Sequence, residues 1–562
     1  MKIFKYGLPF AALALLASCS NDNLGEPVNT PVDDTEGVNA MFTISLPAVS
    51  DTRAIGENEF DAGTNDERTI RNAAIYIYDA TSAASEDDYV LIASSQIYYL
   101  PSDGTASGSD ISDNKIIQVK LTGLDKTATD GTYYALCIVN IDDTNSNGFV
   151  TPDASTLDDK KFGTWRKTVM GTKGGSNPMI STYGGKDYFT MTNAPYFTAV
   201  NNNTPGLDGI KTLVPVYASR FVVSPNVPSE SAATFSVQRG VAKVTLKGSE
   251  DVQLSSIPVK DRTDKFEAKE WILDVTNYQS FPVQNVTAVS DEMQAAYGAQ
   301  DSGSQGVEYF YTSKGGNIKF NHIWWAKDPN YDSTDARDFN LVDDNSTYNS
   351  VTSKLTDYCL ENTMPFSQMY QNETTRIIVK GVYKVGNAST ENYSFVVNPN
   401  TDEAIIVNSA LLISGLTESK TEIALNTIFD STKVGTSAEI ERIANALHMN
   451  PAGTDKVDFY YKGETYYVAR INHFNPSTEA KLNEGQSIKV VSDYNASQTG
   501  RFGVLRNNAY NINVIQVMGY GSPTVPPPGT TPDDEPGSDK YNIKVDINVL
   551  KWAIRDYGYT LE

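Results

Sequence analysis

A chain of 562 residues, 40% of them hydrophobic and 10% aromatic, has the apolar material for more than one core, so two or three domains are expected. With 45 basic against 69 acidic side chains and a formal net charge of −24, it has no basic stripe of the kind that reads phosphates, which speaks against nucleic acid as a partner. The acidity suits a solvated, exported surface instead. Its 32 tyrosines, frequent Gly and Pro and scarce helical periodicity predict an all-β fold with one or a few short helices.

Taken in order, Lys2 and Lys5 precede an apolar run from Leu8 to Ala17, the form of a signal peptide over residues 1–18. Leu16-Ala17-Ser18-Cys19 resembles the bacterial lipobox, in which Cys19 is lipidated and becomes the new N-terminus. The alternative is an ordinary signal peptide followed by a chance Cys. The apolar run is too short to span a bilayer, and no later run reads as transmembrane. A polar tether with Pro27 and Pro31 follows. Phe42, Ile44 and Leu46 then alternate as a strand that ends at Pro47. Beyond it, Arg53-Ala54 sits in a polar loop, where Arg53 is either an accessible site for a trypsin-like protease or a solvated charge.

Strands are predicted at residues 74–78, 90–93, 115–121 and 133–139, with turn clusters between them, which gives a β-sandwich over residues 54–233. Asp143, Asn145 and Asn147 echo the opening of a calcium loop. Position twelve of that pattern is Ala154, so the bidentate carboxylate is missing, and an Asn/Asp-rich turn is the competing reading. A second sandwich is predicted over residues 234–520, opening on one long strand from Phe235 to Leu246. Further strands follow at 271–275, 376–383, 466–471 and 508–515. One helix is predicted with Thr436 as its cap, Glu439 three residues on, and Ile440, Ile443, Ala444 and Leu447 on one face.

Residues 521–540 are rich in Pro and read as an extended linker. After them Tyr541, Ile543, Val545, Ile547 and Val549 alternate with polar residues, a strand with one buried face at the end of a leash. Such a strand pairs with an open sheet edge, of its own chain or of another molecule. Its bulky positions change parity at Leu550, Trp552 and Ile554, which predicts a bulge or bend near Val549.

Catalytic chemistry has no visible seat. His322, His448 and His473 are widely separated and have no metal-ligand spacing, and neither a phosphate loop nor a nucleophile elbow occurs. No enzyme activity, cofactor or metal is expected. His473 reads as packed or hydrogen-bonded, and Cys137 and Cys359 as buried thiols in different domains, with a disulfide open to an exported protein as the alternative.

Four features together resemble the fimbrillins, the pilin subunits of type V pili of Bacteroidetes, and among them a major shaft subunit of the minor-fimbrium type. They are the run Val237 to Val244, the pair Tyr358 to Thr363 with Glu373 to Ile377, and the run Gly503 to Ile512. The fourth is the order of lipobox, Pro-rich linker and terminal strand with Trp552 and Tyr557. The resemblance implies two tandem transthyretin-like, Greek-key sandwiches and an exported, lipidated precursor of the outer membrane. An Arg-specific protease would remove residues 19–53, with Arg53-Ala54 as the cut and Phe42, Ile44 and Leu46 in the removed strand. Tyr541, Ile543, Val545, Ile547, Val549 and Trp552, within residues 541–562, would then be the donor strand that fills another subunit's groove. The implied partners are copies of the chain in a head-to-tail surface fimbrium, anchor and tip subunits, and a host or bacterial receptor, with adhesion and biofilm formation as the outcome. Two alternatives stand beside this one: a surface glycan-binding lipoprotein, which needs exposed Trp or Tyr platforms, and a fimbrial tip or accessory adhesin.

Overall fold

The computed structural model describes residues 37–46, 61, 63–100, 114–124, 132–153, 160–197, 210–223, 226–286, 325–331, 333, 337–343, 345–386, 393–473, 500–529 and 543–551. Strands dominate and the helices among these residues are short, so the fold class is all-β.

The first strand, β1 (Val38–Ser45), buries Val38, Ala40, Phe42 and Ile44, and Leu46 continues the series just past its end. It belongs to a sheet with β2 (Asn72–Asp79), β3 (Val90–Ser95), β4 (Asn114–Thr122), β5 (Tyr133–Val139), β6 (Met191–Asn193) and β7 (Ser231–Arg239). Their order is β5-β6-β7-β1-β4-β3-β2, and β2 pairs back onto β5, so the expected sandwich is closed into a ring. Closure removes sheet edges, each of which would present a row of unpaired backbone groups. Strands β2 and β5 read as apolar runs without alternation because both of their faces are covered. Ile75, Ile77, Ala135 and Cys137 face the interior of the ring. Tyr76, Tyr78, Leu136 and Ile138 pack outward with Phe162 and Trp165 and, from further along the chain, with Val241, Leu360 and Ala509.

The run from Phe235 to Leu246 is not one strand. It breaks at Gly240 and Val241, where the chain leaves the ring at the end of β7 and enters a different sheet as β8 (Ala242–Gly248). The boundary between domains therefore lies at Gly240 rather than at Thr234. Met179 packs so closely here that a Cβ at Gly240 would run into its side chain, so the crossing point needs a residue without one.

The second domain is a sandwich. β9 (Lys265–Asp274), β10 (Thr356–Cys359), β11 (Arg376–Lys384), β12 (Glu464–Arg470), β13 (Asn508–Val517) and β14 (Ile543–Lys551) divide between two sheets, ordered β10-β8-β13-β14 and β9-β11-β12. Val244, Leu246, Tyr510 and Ile512 from the first sheet meet Phe266, Trp271, Val379 and Tyr467 from the second in one core. Within the same span, strands Phe395–Asn398, Glu403–Ile406, Lys420–Ala424 and Lys456–Tyr460 form a separate sheet with its own core. The predicted helix, Thr436–Ala446, covers that core with Ile443, Ala444 and Leu447. Its cap differs from the prediction. Gly435, with φ 95°, holds the N-cap position, and the Thr436 hydroxyl donates to the Asp430 carbonyl at 2.7 Å instead of to the helix end.

A true capping box occurs where none was predicted, on the one-turn helix α1 (Asn65–Arg68). Thr64 accepts from the Glu67 amide, and Glu67 accepts from the Thr64 amide at 2.7 Å. Glu67 is buried at the junction of the two domains, where the Arg239 guanidinium donates to its backbone carbonyl.

Candidate functional site at the first and last strands

Strand β1 is held on both sides. It runs antiparallel to β4 from Val38 opposite Leu121 to Ser45 opposite Asn114, and parallel to β7 from Met41 opposite Ser231 to Ser45 opposite Ser236. Phe42 and Ile44 are fully buried and Leu46 nearly so, with the Phe42 ring 5.5 Å from that of Phe235. The three side chains predicted for a removable strand thus lie on one face of one strand, in the centre of the ring. Between β4 and β7 its side chains fill five positions two residues apart: Val38, Ala40, Phe42, Ile44 and Leu46. Four of these are large, and at about 1.5–3 kcal/mol each their burial is worth on the order of 10 kcal/mol before ordering costs.

The last strand is also paired, and within its own chain. β14 lies antiparallel to β13, with Val549 opposite Tyr510, Ile547 opposite Ile512 and Val545 opposite Val514. Ile547 is buried in the core of the second sandwich, and Val545 packs against it, so the predicted parity is the one that faces inward. The register runs without a shift from Val545 to Lys551. The irregularity expected near Val549 lies instead on the partner strand, between Val514 and Gln516. The start of the Pro-rich stretch is fastened as well. Ser522 exchanges two backbone hydrogen bonds with Tyr466, at 2.8 and 2.9 Å, and the Pro526 carbonyl accepts from Arg376 at 2.5 Å. Arg376 is itself paired with Asp274 at 2.6 Å, with both side chains buried. The stretch is therefore docked as far as Pro526. Cys19, Arg53, Ala54, Tyr541 and Trp552 lie outside the described residues.

The calcium-loop candidates are engaged with different partners. Asp143 pairs with Arg71 at 2.8 Å and accepts from the Tyr99 hydroxyl at 2.7 Å. Asn145 takes a left-handed φ of 53°. The Asn147 amide donates to the carbonyls of Pro178 and Ile180, both at 3.1 Å. The loop is organised by Asp142, whose carboxylate accepts from the Thr144 amide and hydroxyl, the Ser146 hydroxyl and the Asn147 amide. Burial works to raise this carboxyl, but the hydrogen bonds outweigh it and hold it at about 2. Its stabilising contribution is therefore complete above the unfolded carboxyl value of about 4 and is lost as pH falls through about 2. Asp142→Ala is expected to destabilise the first domain by about 1–3 kcal/mol at pH 7 and to flatten its loss of stability between those pH values. Urea unfolding at two pH values checks this, and identical curves for variant and parent would refute it.

Cys137 and Cys359 are buried free thiols, which burial pushes up. His473 is buried with its Nδ1 2.8 Å from the Tyr510 hydroxyl, which also accepts from the Leu505 amide at 2.8 Å. The interdomain contacts of Glu67 escaped sequence reading, although Thr64-Asn65-Asp66-Glu67 carries the capping-box spacing.

An all-β ring that includes the first described strand is followed by a sandwich whose edge is the last described strand, so both of these strands are paired within the chain. Residues 458–558 match the family model described as "Major fimbrial subunit protein type IV, Fimbrillin, C-terminal", a span that includes β12, β13 and β14. This C-terminal region is thus similar to the C-terminal region of the fimbrillins. No curated protein matches the chain in sequence. Among solved structures it is similar to a candidate cell adhesion protein from Parabacteroides distasonis, with 12% identity, 92% of this chain and 98% of that one covered, and a TM-score of 0.36. A candidate cell adhesion protein from Bacteroides eggerthii gives 10%, 93%, 98% and 0.34. The tip fimbrial protein Mfa3 from Porphyromonas gingivalis gives 11%, 92%, 100% and 0.32. At such scores these likenesses carry no weight for function.

Proposed function

We propose that the chain is a structural shaft subunit of a surface fimbrium, exported as a lipoprotein lipidated at Cys19, cut between Arg53 and Ala54, and polymerised by strand exchange. The observation that carries this reading is the place of β1. It is an early strand, followed in sequence by the segment that contains Arg53, yet it is central in a ring that would otherwise have an open seam. Its removal would leave the facing edges of β4 and β7 without a partner and five apolar positions unfilled. The terminal segment offers five apolar residues at the same spacing, from Tyr541 to Val549, so backbone ladders would give affinity and alternate side chains would give fit. The joint is head-to-tail and does not close, and a filament is the expected product.

The choice of Arg53 has further support. The next arginines are Arg68, in the last turn of α1, and Arg71, whose guanidinium sits 3.9 Å from the centre of the Tyr183 ring and pairs with Asp143. Both lie in hydrogen-bonded structure that a protease would have to unfold locally. Filaments sheared from cells are expected to begin at Ala54 by N-terminal sequencing; a start at Cys19, or after Arg68 or Arg71, would overturn the assignment. Cys19→Ala is expected to abolish incorporation of labelled fatty acid, and equal label on variant and parent would remove the anchor.

One observation favours the glycan-binding alternative. Tyr99 and Tyr183 are 50% and 57% exposed on either side of Arg71, an aromatic surface of the kind that stacks on sugars. Filament formation by the purified, cleaved chain separates the two readings, because a monomeric glycan binder has no need to polymerise.

A further inference from the structure

Lys243, Asp61 and Glu67 form a cluster that salt bridging alone does not exhaust. Lys243 lies in β8 of the second domain, where its ammonium has a side-chain exposure of 8%. It is 3.0 Å from an oxygen of Asp61 and 3.0 Å from an oxygen of Glu67, and it contacts the second Glu67 oxygen at 3.1 Å. Asp61 and Glu67 flank and form the capped turn that precedes β2, in the first domain. Glu67 is 3% exposed and is held in place by the Thr64 amide at 2.7 Å and by the Tyr358 hydroxyl, which donates to it at 2.5 Å. An amine, a carboxyl and a second, rigidly oriented carboxyl are thus within contact distance of one another across the domain junction.

We propose that this cluster forms an intramolecular amide bond between Lys243 Nζ and Asp61 Cγ, with Glu67 as the catalytic acid–base. Glu67 takes one proton from the ammonium, which frees the nitrogen lone pair to attack Asp61 Cγ. The C–O bond to one carboxyl oxygen then breaks. That oxygen leaves as water with two of the ammonium's three protons, one of them handed over by Glu67, which ends as the carboxylate it began as. The third proton stays on the amide nitrogen. Atoms and charge balance, with no oxidant and no activated co-reactant.

Two physical arguments support the step. Holding nucleophile and electrophile in contact replaces a bimolecular encounter with an effective concentration far beyond any reached in solution, and proton transfer by a positioned carboxyl lowers the barrier further. The condensation also removes one buried positive and one partly buried negative charge, and the Glu67 carboxylate that loses its ammonium partner keeps the hydrogen bonds from the Thr64 amide and the Tyr358 hydroxyl. The product would tie the segment beginning at the proposed cut site covalently to the second domain. Pulling force would then pass between domains through a bond that does not yield. The proposal stands without strand exchange, since it needs only the folded chain.

Tryptic mapping of the full chain, purified from cells and denatured, tests it. In the linked protein trypsin cannot cut after Lys243, and the peptides of residues 54–68 and 240–247 are expected as one branched species, lighter than their sum by one water. Asp61→Ala and Lys243→Arg are expected to restore the separate peptides. Glu67→Gln, whose one carbonyl oxygen keeps the bond from the Thr64 amide while its NH2 group donates to a rotated Tyr358 hydroxyl, is expected to fold with the parent's circular dichroism and yet remain unlinked. Recovery of the unlinked peptides in full yield from the folded parent would overturn the proposal, as would a branched species that persists in Glu67→Gln.

Discussion

Phe42→Ala is expected to destabilise the uncleaved precursor by about 3–5 kcal/mol, the cost of emptying a large aromatic site in a packed core. Phe42 has no exposed surface, its ring packs on Phe235, and it sits mid-strand between two ladders, so the surrounding ring has little freedom to collapse into the space. The second half of the prediction distinguishes a removable strand from an ordinary core strand. Once residues up to Arg53 have been cut away and the subunit assembled, Phe42 is no longer present, and parent and variant filaments are expected to have equal resistance to urea. Unfolding of purified precursor and of sheared filaments measures both quantities. A precursor that loses stability together with filaments that lose the same amount would mean that β1 stays in place.

Ile547→Asp is expected to abolish polymerisation. The residue is buried on the inward parity of the terminal strand, and a buried carboxylate without a partner costs several kcal/mol wherever that strand is inserted. Within its own chain the strand lies at a sheet edge, and β13 keeps β8 on its other side. Deleting everything after about Gly537 is therefore expected to leave both domains folded, at the loss of the contacts of Val545 and Ile547, while ladders on unheated gels disappear. Lys544→Asp, on the opposite parity, is expected to be mild. Ladders from the truncated chain, or its outright unfolding, would refute strand donation.

What could be read in advance came from local periodicity. The alternation at Phe42, Ile44 and Leu46, the inward parity of Ile547 and the packed face of the helix with Ile443 and Leu447 all depend on which side of one element is buried. What could not be read depended on pairing at a distance. Phe235 to Leu246 keeps a strand-like pattern straight through Gly240, and only the change of neighbours, from β1 to β13, reveals two strands. A Pro-rich composition forecasts an extended linker, but it cannot foresee that Arg376 and Tyr466 hold the start of that linker down. Thr436 and Glu439 match a capping signature, yet a left-handed Gly435 takes the role. Thr64 and Glu67 match it too, within a loop-like context that disguised them.

Strand β1 is parallel to β7 and antiparallel to β4, so the two walls of its slot run in opposite directions. Any strand lying there makes one ladder of each kind, whichever end enters first, and backbone pairing is indifferent to its direction. Polarity then has to come from the sequence of pocket sizes: a small one at Ala40 between Val38 and Phe42, then room for Phe42, Ile44 and Leu46. Such a slot works like a keyed connector. In a fibre assembled through it, head-to-tail order would already follow from donor and slot lying on different parts of the chain, and the order of pocket sizes would fix only which way round each incoming strand lies.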